Sequence, residues 1–333
     1  MSLAKIAISK DVIVMPNWGS NEVLNKFCNI MNRPGPLFFS RIGGSDYDCV
    51  RDYFNDNNII NNRHWYQNQL YSVKSHNGYF DFKNKQENFV KYLEAMIESY
   101  QNSDAFMYGN GRLINSFDSN QFLPNEANFV NHLCKNKVCI NYSFIEGLAP
   151  FLKSFDCWAT GKKILVVSPL SASVEHQYKN RDNLYQDYKF PDFNLSTYNT
   201  KITYSNNSND NQSILNVSTS NWSEEAERMA EEISKIDFDV ALLSCGSYAM
   251  YLGNFIKNSL SKKSLYVGGA LNMIFNIYGG RYNHPGYCRL KDSVGLITES
   301  QINPIENKDI EHMKSGRNFK SESLNAYFGV KKE

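Results

Sequence analysis

The tightest constraint on this chain is a set of short, mostly apolar runs that each end in glycine or another small residue; LFFSRIGG, VALLSCGS and SLYVGGA are the clearest. Runs of four to six such residues are too short for a helix. They suit strands covered on both faces of a parallel sheet. The pattern places strands at Leu37–Ile42, Ala105–Tyr108, Val138–Asn141, Ile164–Ser168, Val240–Ser244 and Leu265–Val267. Helical periodicity falls between them, at Tyr47–Asn55, Glu87–Gln101, Ser171–Tyr188, Ser223–Ile236 and Met250–Leu260. The stretch NWSEE reads as a helix start, with Ser223 as cap and acids in the first turn. Strands alternating with helices give an α/β fold: a Rossmann-like layered sandwich with a mostly parallel sheet and helices on both faces.

A chain of 333 residues can bury a core of its own. We expect one α/β domain over residues 1–300, with a subdivision near 155–160 left open, and a C-terminal extension over 301–333. Tyr204–Asn221 is polar, rich in Asn and Ser and without periodicity. It reads as a surface loop, either a plain insertion or a flap that closes over substrate.

Charge narrows the partners. The 35 Lys and Arg residues balance 34 Asp and Glu, for a formal charge of +1. A protein that holds nucleic acid by its phosphates usually carries a basic excess, so a nucleic-acid partner is not expected. The seven cysteines form no CxxC pair, which points to reduced thiols rather than zinc or a redox couple. No run approaches the roughly 18 apolar residues of a membrane span, and the first residues lack a leader's apolar core with a cleavage site. A cytoplasmic protein without a transmembrane segment is the expectation.

In an open α/β sheet, ligands bind where strand ends turn into helices. In the first such turn Arg41 precedes Gly43 and Gly44, and Asp46 stands at the mouth of a helix. Arg41 can clamp a phosphate, and Asp46 can hold a divalent metal or accept a proton. The competing reading is a helix cap with Arg41 paired to it. In the second turn Gly246, Ser247 and Tyr248 offer backbone amides and a ring to a phosphate or sugar, although small residues there also serve helix–sheet packing. The third holds Gly268 and Gly269, then Asn272 inside an apolar helical run, and Arg281 on a later glycine turn within reach of a phosphate or simply at the surface. The fourth turn begins at Ser168 and leads to Gln177 and Arg181, which share a helix face.

Taken in order, SRIGGSD, SHNGYF, TGKKILVVSPL, SVEHQYKNRDNLY, DFDVALLSCGSYAMYLGNFIK and SLYVGGALNMIFNIYGGRY resemble a family of bacterial and viral polysaccharide-biosynthesis proteins across about residues 37 to 283. That family is similar to glycosyltransferases of the GT-D type. The resemblance implies a nucleotide-sugar donor, a glycan or glycolipid acceptor, and a carboxylate-bound Mn²⁺ or Mg²⁺. Arg41 and Gly43 match the first family turn, and Asp46 stands where relatives have Glu. Gly44 occupies the first position of the acidic pair of GT-D enzymes, which leaves Asp46 and Asp48 as the metal ligands to consider. Gln177, Gly246, Tyr248, Gly268, Gly269 and Arg281 match, Asn272 replaces a Gln, and Ser168 replaces a His. The resemblance makes Asp46 the catalytic acid and these other turn residues the donor site. A non-catalytic glycan- or nucleotide-binding protein, and another sugar-modifying transferase such as a pyruvyl transferase, are the alternatives.

Overall fold

A computed structural model describes residues 4–277, apart from 45, 110, 148, 186–187, 202 and 204–216. The chain passes through β1 (Ile13–Met15), α1 (Asn21–Asn32), β2 (Leu37–Ile42), α2 (Tyr47–Asn55), α3 (Arg63–Asn77), α4 (Gln86–Asn102) and β3 (Ala105–Tyr108). It continues through α5 (Gly111–Ser119), α6 (Pro124–Cys134), β4 (Val138–Asn141), α7 (Ser143–Glu146), α8 (Ala149–Trp158), β5 (Lys163–Ser168) and α9 (Ser171–Lys179). It closes with β6 (Asn194–Asn199), α10 (Trp222–Ser234), β7 (Val240–Leu243), α11 (Tyr248–Asn258), β8 (Lys263–Tyr266) and α12 (Leu271–Ile274).

The eight strands form one parallel sheet in the order β1-β4-β3-β2-β8-β7-β5-β6. Alternate residues of each central strand feed two cores. Phe38, Ile42, Ala241 and Leu243 face one core, which α2 to α6, α10 and α11 cover. Leu37, Phe39, Val240 and Leu242 face the other, covered by α1, α7, α8, α9 and α12. Helices on both faces explain why these strands are apolar throughout, and they make the fold a Rossmann-like α/β sandwich. The sheet runs across the 155–160 region without a break, since β2 pairs with β8.

The sequence expectation lacks β1 and the helices α1, α3, α5, α6, α7 and α8, and its other differences lie at edges and ends. β1 and β6 are the outer strands. An edge strand pairs on one side only and need not be apolar, so the polar NLSTYN of β6 carries no buried-strand signal. The helix expected over Ser171–Tyr188 stops at Lys179 and gives way to a single 3₁₀ turn at Arg181–Asn183. The α10 cap is Asn221 rather than Ser223, its side chain accepting from Glu224 N at 3.1 Å. Residues 204–216 of the expected loop, Arg281 and the extension over 301–333 lie outside the described residues. Among the described residues no helix is long and apolar enough to cross a membrane.

Candidate functional site

The connections at the carboxyl ends of the strands diverge. β2 and β7 hand the chain to α2 and α11 on one face, while β8 and β5 hand it to α12 and α9 on the other. Since the strands sit in the order β2-β8-β7-β5, neighbouring loops part to opposite sides and leave a crevice between them. The space in it open to a water-sized sphere is about 40 Å³, so the crevice is narrow and a large ligand must widen it.

Each strand end contributes to the wall. Arg41 comes from β2, Ser168 from β5, Ser244, Cys245 and Gly246 from the turn after β7, and Tyr248 from the start of α11. Tyr266, Gly268, Gly269 and Asn272 follow from β8 onward, while Thr200, Lys201 and Thr203 follow β6. Asn77, the last residue of α3, completes it. Its backbone carbonyl accepts from Ser247 N at 2.9 Å, which docks the end of α3 on the start of α11.

Arg41 is held from two sides. Its guanidinium lies 4.0 Å over the Tyr142 ring, and Nη2 donates to Gly109 O at 3.4 Å. Tyr142 is itself fixed, since its hydroxyl donates to Val267 O at 2.6 Å. Burial pushes the Cys245 thiol and the Tyr248 phenol up, so both are neutral at physiological pH. The charged groups on the described wall are therefore Arg41 and Lys201, and no carboxylate or imidazole lines it.

The sequence-derived site thus divides. Arg41, Ser168, Gly246, Tyr248, Gly268, Gly269 and Asn272 meet in the crevice. Gln177 is buried elsewhere, its Nε2 donating to Phe275 O at 3.0 Å and Asn276 O at 3.2 Å, which ties α9 to the end of α12. Arg181 pairs with Asp192 at 2.5 Å and covers the Tyr178 ring. Ser247 is buried and accepts from Trp222 Nε1 at 2.8 Å. Gly43 and Gly44 shape the backbone beside the wall without lining it; a Cβ on Gly43 would strike Gly109.

The acidic residues need the larger correction. Asp46 is 6% exposed and lies behind Arg41 and Asn77 rather than on the wall. Burial pushes its carboxyl up, against a hydrogen bond from Asn77, backbone amides and the nearby Arg41 charge. Asp48 points the other way, into an ion pair with Arg51 at 2.7 Å. Residues two apart on a helix do not share a face, so Asp46 and Asp48 do not converge on one ion. No group of three or more His, Cys, Asp or Glu side chains able to hold a metal occurs among the described residues. The pair does not fit a divalent cation, and Asp46 is buried among Asn77, backbone amides and Arg41 rather than facing the crevice.

The raised carboxyl has a measurable consequence. Unfolded Asp titrates near 3.9, and a folded value above that adds stability that is complete below the unfolded pKa and lost as pH rises through the folded one. Asp46→Asn removes this dependence. Compared by urea unfolding at pH 4.5 and pH 8, the variant should gain on the parent at the higher pH; an equal gap at both would show that Asp46 titrates normally.

Asn77, Thr200, Lys201, Thr203 and Tyr266 complete the crevice without having been singled out as site residues from the sequence. Asn77 falls inside SHNGYF, which carries part of the family resemblance. The Thr200–Thr203 segment follows the polar edge strand β6, where no apolar burst marks a strand end. No family model matches the chain, and no curated protein and no solved structure matches it.

Proposed function

We propose that this chain is a cytoplasmic glycosyltransferase that binds a nucleotide-sugar donor in the crevice and passes the sugar to a glycan or glycolipid acceptor. One observation carries the reading: turns from β2, β5, β7 and β8 meet in a concavity whose charged side chains, among the described residues, are cations alone. Departure of a nucleoside diphosphate needs negative charge stabilised at the leaving oxygen, and cations with backbone amides in a dry cleft supply that. Arg41, oriented by Tyr142 and Gly109 and lining the crevice, supports that reading. Asp46 and Asn77 hold the Arg41 side of the wall in shape. The resemblance of GSYAMYLG and GGALNMIFNIYGGRY to polysaccharide-biosynthesis proteins gives the substrate class.

Transfer also asks for a base to take the acceptor proton. The described wall carries none, which favours a second reading in which the crevice binds a nucleotide or glycan without turnover. Thermal unfolding against a panel of nucleotide sugars, followed by assay for released nucleoside diphosphate, separates the two. A ligand at about 100 times its dissociation constant should add roughly 2.7 kcal/mol. A shift with release of nucleoside diphosphate is the expected result. A shift without turnover under any acceptor supports the binding protein, and no shift at all ends both.

A further inference from the structure

Thr200 and Lys201 directly follow β6 and line the crevice, outside every glycine turn that the sequence marks. Thr200 is 4% exposed, and its Oγ1 has no hydrogen-bond partner among the described residues. A buried hydroxyl left unpaired costs stability, and on the wall of a cavity a ligand atom can supply the missing partner. Lys201, the next residue, is exposed at the same wall.

The segment is anchored on both sides of that lysine. Thr200 N donates to Ser168 O at 3.3 Å, which extends the β5–β6 ladder by one residue. The Thr203 hydroxyl donates to Gly78 O and lies 3.1 Å from the Tyr248 hydroxyl, fastening the segment to the end of α3 and the start of α11. Lys201 therefore follows directly on a residue tied into the β5–β6 ladder.

We infer that the diphosphate of the donor binds against Thr200 and Lys201, with the Thr200 hydroxyl donating to a phosphate oxygen and the Lys201 ammonium meeting its charge. Arg41 faces the same crevice from the β2 end. Side-chain cations then do the neutralising for which Asp46 and Asp48 are wrongly disposed to hold a metal. This site rests on the nucleotide-sugar reading for what carries the diphosphate, but not for the anion chemistry itself.

The test is calorimetric titration of inorganic pyrophosphate into the full chain at low salt with EDTA present. Saturable binding is expected. Lys201→Ala should weaken it about tenfold, the worth of one charge-assisted hydrogen bond. Thr200→Val should weaken it roughly fivefold, while the Tm of the ligand-free protein holds or rises because the unpaired hydroxyl is gone. Lys235→Ala removes the same charge from the far end of α10 and should bind pyrophosphate as the parent does. The inference is overturned by no binding, by binding only with Mn²⁺ added, by full affinity in both crevice variants, or by an equal loss in Lys235→Ala. Its fate is separable from that of the transferase. Pyrophosphate bound through Thr200 and Lys201 with no nucleotide sugar bound keeps this site and ends the transferase reading. Sugar transfer unaffected by either substitution keeps the transferase and ends this site.

Discussion

Gly43→Ala is expected to destabilise the protein by roughly 3 kcal/mol or more, the largest stability loss from any single methyl group beside the crevice. Gly43 has φ +118°, a conformation costly to any residue with a Cβ, and that Cβ would lie 2.3 Å from Gly109 O. Backbone cannot rotate aside as a flexible side chain can. Gly109 has no room to retreat, because it is packed so closely on Tyr142 that a Cβ of its own would be 2.7 Å from the Tyr142 Cβ. Its amide is also committed, donating to Ile42 O at 2.9 Å. The same carbonyl accepts from Arg41, so displacing it would disturb the crevice as well as the fold. Gly161→Ala is the matched control, since Gly161 has φ +70° with nothing within 4 Å of its Cβ position. That substitution should cost about 1 kcal/mol, from backbone strain alone. Urea unfolding of both variants decides the matter: equal losses would mean that Gly109 yields and that the two turns are not locked together.

The contrast between those glycines shows what sequence can and cannot display. FFSRIGG announces a strand running into a glycine turn, and β2 begins and ends where its apolar run does. The run cannot show that the turn after β3 comes to rest 2.3 Å from a Gly43 Cβ, because that contact depends on strand order. The same holds across the sheet. Central strands such as β3 and β4 are legible because burial on both faces demands apolar residues at every position. β6 is not, because at the edge its residues are only partly covered and polar side chains are tolerated. Losing β6 means losing the loop that follows it, and with that loop Thr200 and Lys201. Asp46 fails in the opposite sense. An acid after a glycine turn suggests a ligand-facing carboxylate, yet α3 ends against it and Asn77 covers it. Which side of a turn faces a crevice is decided by the packing of a later helix, α3, and local pattern carries no record of it.

Arg41→Ala should lower donor-dependent turnover by about 10² to 10³-fold, the usual consequence of removing one preorganised group that stabilises a leaving oxyanion. Arg41→Lys should recover little, since an ammonium offers neither the planar fork nor the stacking surface that the Tyr142 ring and Gly109 carbonyl hold at 4.0 Å and 3.4 Å. A purely structural role predicts a different pattern. The Arg41 charge is one of the influences that favour ionised Asp46, so removing it leaves that buried carboxyl worse placed and loosens the wall around it. If this were all that Arg41 does, adding Asp46→Asn to Arg41→Ala would remove the stranded charge and bring turnover back. If Arg41 meets the donor's phosphate, the double variant should recover stability in urea unfolding while turnover and nucleotide-sugar binding stay as poor as in Arg41→Ala. Recovery of stability without recovery of turnover would place Arg41 in contact with the donor. Recovery of both would reduce it to a partner of Asp46 and shift the burden of the anion to Lys201.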